Sequence, residues 1–153
     1  MVIDPDSWAL KEFSNIDLGD KRLNNRLIKL ADDFSKHPDF SINQASKDWH
    51  AAKASYRFFQ NDKVTEKEIL NPHFENTADR CKKQNYIIIA QDTSVITLSH
   101  HPKTRGLGSI GGHPNPKTPV QGLYMHTALA MTPNGMPLGL LSNTFWSREK
   151  IRD

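Results

Sequence analysis

Asp92 is the residue whose setting most demands chemistry. It sits in Tyr86-Ile87-Ile88-Ile89-Ala90-Gln91-Asp92-Thr93-Ser94-Val95-Ile96, an apolar, β-branched run with one acid near its middle. Such a run predicts a buried strand. An ionised carboxylate there is costly unless a metal, a cation or hydrogen bonds compensate it. Asp92 is therefore either an acid with a catalytic or metal-holding task, or a structural one bonded to the adjoining loop or to Thr93 and Ser94. Beyond it the chain offers only Glu149 and Asp153 as further acids. If Asp92 belongs to a metal-dependent site, most of that site is missing.

The second chemical signal is cationic. Arg22, Arg26 and Lys29 step by 4 and 3, a row along one side of a helix. Lys36 and Lys47 extend the same kind of surface. The row is either a solvated helix face or a phosphate-binding one. Arg57, flanked by aromatics in Ser55-Tyr56-Arg57-Phe58-Phe59, either covers its own core or reaches a phosphate with its fork of donors. Spacing leaves both alternatives open.

The elements that must position these groups change character near residue 84. Before it, the period is helical. Asp4-Pro5 predicts the cap and first turn of a short helix ending near Phe13. Leu18-Gly19-Asp20 opens a longer helix with Leu23, Leu27, Leu30 and Phe34 as its apolar stripe, stopped at His37-Pro38. A third helix carries Ala45, Trp49, Ala52, Tyr56 and Phe59. Thr65 to Glu68 predicts a capping box for a fourth, and Asn71-Pro72 a restart for a fifth, through Ala78 and Cys81. From Gln84 the pattern is that of strands, at about 85–97, Leu123–Met131 and Met136–Trp146. The second places Tyr124, His126, Ala128 and Ala130 on one face and Met125, Thr127 and Leu129 on the other. Pro133-Asn134-Gly135 makes a turn, so the last two strands are antiparallel. The expected fold class is α+β: a small helical bundle over 1–83, then an antiparallel three-strand sheet over 84–153.

Composition narrows the function classes. With 24% charged and 37% hydrophobic residues in 153, the chain reads as globular, with neither wholesale disorder nor a membrane span. The acidic start, Met1 to Asp6, has no apolar core of a secretory signal, and one cysteine, Cys81, forms no internal disulfide. A cytoplasmic location is expected. Residues 1–83 carry fourteen Lys/Arg against fourteen Asp/Glu, and 84–153 carry six against three, which makes the whole of the +3. Affinity for a polyanion must therefore come from the placement of cations rather than their number.

Two other patterns carry less. Gly106-Leu107-Gly108-Ser109-Ile110-Gly111 spells a dinucleotide fingerprint, yet Gly112-His113-Pro114-Asn115-Pro116 follows, where the motif requires a helix. His100, His101 and His113 lack the regular Cys/His spacing of a structural zinc site.

Taken together, Leu18-Gly19-Asp20-Lys21-Arg22, Ala54-Ser55-Tyr56-Arg57-Phe58-Phe59-Gln60-Asn61 and Ala90-Gln91-Asp92-Thr93-Ser94 resemble the N-terminal third of Tn5-type transposases of the IS4 group. Leu107-Gly108-Ser109-Ile110 and Trp146-Ser147-Arg148 are similar to the same family in the same order. The resemblance implies a helical DNA-binding domain followed by the start of an RNase H-like catalytic domain. It also implies that Arg22, Arg26, Lys47 and Arg57, with Lys36 more loosely, meet transposon-end DNA. Asp92 matches the first catalytic, Mg²⁺-holding acid of a D-D-E triad. The second Asp and the Glu have no counterpart up to residue 153. Two-metal phosphoryl transfer needs several carboxylates to hold ions ~3.5–4 Å apart, so no tight Mg²⁺ binding and no cutting or joining of DNA are expected of this chain alone. The expected product is a truncated transposase that binds DNA. The alternatives are a fragment that inhibits the full enzyme and an inert remnant. The sheet, without covering helices, is expected to leave an apolar face and an edge open to self-association.

Overall fold

The computed structural model describes residues 4–46, 48–99, 104–110 and 120–148. The chain divides into two compact units, Met1–Asn76 and Thr77–Asp153. Its described elements are α1 (Trp8–Glu12), α2 (Lys21–Lys36), α3 (Ile42–Ala45), α4 (Trp49–Phe59) and α5 (Glu66–Lys82), then β1 (Ile88–Thr97), β2 (Gly108–Ser109), β3 (Gln121–Met131) and β4 (Pro137–Trp146). The expected α+β class is the one observed.

The first unit is built on α2. Asp20 caps it by accepting from the Arg22 N–H at 2.8 Å, and His37 ends it. Its stripe supplies Leu27, Ile28 and Leu30 to a core completed by Ala9, Phe13, Ile16, Leu18 and Phe58, with Leu23 and Phe34 packed against it. Four expectations need correction. The cap of α1 is Ser7, whose Oγ accepts from the Leu10 N–H at 3.1 Å and donates to Asp32 at 2.8 Å. Asp4 instead closes the preceding turn by accepting from the Asp6 N–H. The third helix is two, α3 and α4, because Ser41 and Gln44 form a capping box around one short turn and Asp48 caps anew. On α4 the buried face is Ala52, Ser55 and Phe58. Trp49, Tyr56 and Phe59 are exposed, Trp49 by 70%. Of the expected stripe, Ala45 and Ala52 are buried, whereas Trp49, Tyr56 and Phe59 face outward and Phe58 supplies an aromatic ring to the core. The fourth and fifth helices are one, α5, with Pro72 inside it. Pro72 forfeits one backbone donor without ending the helix.

In the second unit, β3 is the central strand and pairs antiparallel with β1 on one side. On its other side it pairs antiparallel with β4 and, near its start, with the two-residue β2. The β3–β4 turn is the one predicted, with Gly135 at φ +85° and its N–H bonded to the Thr132 carbonyl at 2.9 Å. Register sets Tyr124, His126, Ala128 and Ala130 on one face and Met125, Thr127 and Leu129 on the other, as the alternation predicts. Arg80, from the last turn of α5, donates to the Leu138 carbonyl at 2.6 Å and to Thr77 at 3.0 Å.

In β1 the expected burial of the run is corrected, and the open apolar face expected of a sheet without covering helices is what is found. The apolar run is a strand but is not buried: every residue of Ile88–Thr97 except Ile96 is exposed. β-branched composition records a preference for extended backbone. Burial needs a facing layer, and among the described residues none covers this strand.

Candidate nucleic-acid interface

A short loop delivers the first cation. Asn24 accepts from the Leu18 N–H at 2.9 Å and donates to the Ile16 carbonyl at 2.8 Å, so α2 clamps the loop that leads into it. Gly19 turns the chain at φ +70°, a conformation that side chains disfavour. Asp20 is thereby held at the head of α2. Besides capping the helix, its carboxylate grips Arg22: Nε lies 3.2 and 3.3 Å from the two oxygens and Nη2 2.9 Å from one. The Arg22 side chain is otherwise 91% exposed. The bonds from the Arg22 guanidinium, then its backbone N–H, hold the Asp20 carboxyl below the ordinary carboxylate range, with a smaller contribution from the charge of Lys63. The reciprocal bond raises the Arg22 guanidinium further.

Arg26, one turn on, is on the same side of α2. Leu23 and Leu27 point the helix's apolar side inward, and α4 presents Ala54, Arg57 and Phe58 to the same space. The result is a cleft of about 320 Å³ lined by Asp20, Arg22, Leu23, Arg26, Ala54, Arg57, Phe58 and Asn61. Its floor is the buried Phe58. Unlike Arg22, neither Arg26 nor Arg57 has an ion pair or a side-chain hydrogen bond among the described residues. Two arginine forks without acceptors, beside a third held by an acid, suit an anion with several oxygens along its length.

Of the residues singled out by sequence, the structure brings together Arg22, Arg26 and Arg57. Lys29 is spent locally, bonded to both Asp33 oxygens at 3.1 and 2.8 Å. Lys36 is exposed at the far end of α2, roughly 20 Å along its axis from Arg22, and does not line the cleft. Lys47 lies outside the described residues, as do His100, His101 and His113. Sequence reasoning missed three groups. Asp20 carried a signal, because an acid directly before a helix is a cap candidate. Asn61 stood only at the end of the motif around Arg57, and Lys63 carried no signal. Lys63 reaches the site through the turn after α4, and its Nζ lies 3.4 Å from where a Cβ on Gly19 would sit.

In the sheet, Asp92 is exposed and accepts from Ser94 Oγ at 2.9 Å. It is thus not the partnerless buried acid that its setting suggested. Its row across the face continues through Thr127 to Asn143, which are joined at 3.1 Å. On the opposite face, Thr93 Oγ1 and His126 Nδ1 are 2.8 Å apart. Mg²⁺ asks for octahedral oxygen ligands, with carboxylates among them. Around Asp92 the described neighbours are hydroxyls and an amide. No group of three or more His, Cys, Asp or Glu that could hold a metal ion occurs among the described residues, so this set does not fit a magnesium centre. The glycine motif also has another use: Gly108 and Ser109 form β2, a rung of the ladder.

No helix among the described residues is long and apolar enough to cross a membrane. Residues 5–64 match a family model described as transposase DNA-binding. Every residue lining the cleft falls within that stretch. This part of the chain is therefore similar to the DNA-binding portion of transposases.

Proposed function

We propose that the chain binds double-stranded DNA at transposon ends through the α2–α4 cleft, as the DNA-binding module of a Tn5-like transposase of the IS4 group. One observation carries the reading. Arg22, Arg26 and Arg57, drawn from two helices, the first and last of them more than half the matched segment apart, line a single cleft inside it. Contacts of Arg26 and Arg57, both unpaired among the described residues, to phosphate oxygens release counterions and make the affinity salt-dependent. Lys63 joins them at the rim, and Lys36 and Lys47 are assigned to flanking phosphates. The module corresponds to residues 1–83.

Residues 84–153 are read as the beginning of an RNase H-like domain. Supporting this are three long antiparallel strands in chain order, with Asp92 at the middle of the first. Asp92 is the first acid of a catalytic set that takes Mg²⁺ when complete. Strand cleavage and transfer are not assigned to this chain by itself, because no group of three or more His, Cys, Asp or Glu that could hold a metal ion occurs among the described residues. The open strand β1 is assigned a role in self-association.

The test is fluorescence anisotropy of the purified chain on a duplex carrying the inverted repeat that flanks its coding sequence, beside a scrambled duplex, at low and moderate salt. Tighter and salt-sensitive binding to the true end is expected. Equal or absent binding by a chain with a folded helical spectrum removes the reading. A chain that binds the end and suppresses transposition by the full enzyme acts as an inhibitor as well.

A further inference from the structure

The three arginines of the cleft are not equivalent. Arg26 and Arg57 are unpaired among the described residues and carry their full charge to whatever enters. Arg22 is fixed by two donors, Nε and Nη2, on the Asp20 carboxylate. That carboxylate is itself fixed by the Arg22 backbone N–H and by the clamped loop before it. An arginine this exposed ordinarily spends rotamer entropy to adopt one geometry. Here the geometry is set before any ligand arrives, which lowers the ordering cost of binding. The Nε–Nη2 edge is occupied, whereas the Nη1–Nη2 edge keeps parallel N–H donors.

Charge decides what that edge suits. The Asp20–Arg22 pair is close to neutral, and a phosphate approaching it meets the carboxylate as well as the guanidinium. A neutral acceptor pair meets no such repulsion. In the major groove, O6 and N7 of guanine are two neutral acceptors spaced for an arginine fork. We propose, resting on the DNA-binding reading above, that Arg22 is a base-reading residue that recognises one guanine with its Nη1–Nη2 edge, that Asp20 positions it, and that Arg26 and Arg57 hold phosphates.

The experiment selects binding sites from a pool of randomised duplexes with the full chain and with Arg22→Lys, Asp20→Asn and Arg57→Ala. Asparagine retains an oxygen to cap α2, so Asp20→Asn removes the grip on Arg22 without removing the cap. Far-UV circular dichroism establishes that each variant is folded. The wild-type site is expected to contain one guanine preferred roughly 5- to 150-fold over other bases, the range of a good bidentate contact. That preference disappears in Arg22→Lys and falls in Asp20→Asn, while other positions keep theirs. Arg57→Ala weakens all sequences alike. In the selected duplex, 7-deazaguanine at that one position should cost the wild type a similar factor.

Arg22→Lys that binds all sequences more weakly but keeps every preference would make Arg22 a phosphate contact and overturn the proposal. So would a wild type indifferent to 7-deazaguanine at every position. An unchanged guanine preference in Asp20→Asn would remove the positioning role. Wild type that enriches no sequence and binds no duplex would overturn the DNA-binding reading itself, a result distinct from the other three.

Discussion

The two units bury their hydrophobic residues very differently. In the helical unit, Phe13, Leu27, Leu30 and Phe58 are nearly inaccessible and converge from two helices and the turn that ends α1. In the sheet unit the buried apolar residues are small or few, Ala128, Ala130 and Ile110, while Ile88, Ile89 and Val95 are each about half exposed. Composition does not explain this, because the β1 run is among the most apolar in the chain. An amphipathic helix finds its complement in a neighbouring helix of the same short segment. A strand finds hydrogen bonds in its neighbour but must bury its faces against a separate layer. Backbone pairing and side-chain burial are thus separable, and β1 has the first without the second.

The sharpest challenge to this contrast is a matched pair of truncations. Leu27→Ala should destabilise the helical unit by about 2–5 kcal/mol, the range for cavities in a packed core. Ile89→Ala should change stability by about 0.5 kcal/mol or less, as at a surface site. Urea titration followed by circular dichroism compares them, and equal losses would mean that β1 is covered in solution. Next in size is the cleft. Arg26→Ala and Arg57→Ala should each weaken duplex binding about tenfold, and each should lower the salt slope by about 1. Unchanged salt slopes would take the cleft out of the interface. A smaller effect belongs to Ser7→Ala, which removes the cap of α1 and its bond to Asp32 and should cost about 1 kcal/mol. A melt with no shift would deny that cap a role. Ile89→Lys places a charge on the open strand and should abolish any rise of sedimentation coefficient with concentration. A rise that persists would place self-association elsewhere.

The smallest effect is a pH dependence. Asp20 is held below its ordinary value in the fold by Arg22. Its contribution is therefore complete at neutral pH, begins to fall as pH drops through the ordinary range near about 3.9, and is gone below its folded value. The difference in melting temperature between wild type and Asp20→Asn should shrink over that acid window. A constant difference would show that the carboxylate's charge is not what matters.

Much of the fold was legible in residues alone, and the places where it was not share one cause. The limits of α2 follow from Asp20 and His37-Pro38, and its stripe from Leu27 and Leu30. The faces of β3 follow from strict alternation, and the β3–β4 turn from Pro133-Asn134-Gly135. Each is a local signal of a few residues. On α4 the expected stripe of Trp49, Ala52, Tyr56 and Phe59 and the buried face of Ala52, Ser55 and Phe58 share Ala52, and both have helical spacing. Only packing against α2 and α3 decides between them. Pro72 resembled a helix start because its cost is local, whereas the helix that tolerates it is held by contacts such as His73 Nδ1 to Glu12 Oε1 at 2.5 Å and Asn76 to the Glu12 carbonyl at 2.7 Å.

The candidate site divides in the same way. Arg22 and Arg26 were visible as a helical row, and Arg57 by its aromatic neighbours. That they share a cleft with one another, and not with Lys36, is set by how α4 lies on α2. Lys29 carried the same spacing as its row-mates, yet Asp33 takes it up.

Sequence by itself determined which segments are helix and strand, where most of them stop, and which residue types are available to meet an anion. These depend on backbone sterics, capping and periodicity, which act over one or two turns. Tertiary structure alone decided which face of α4 is hidden, that Arg57 shares one cleft with Arg22 and Arg26, and that Lys63 lies beside Gly19 at its rim. Those outcomes turn on distances between residues far apart in the chain, and no local spacing encodes them.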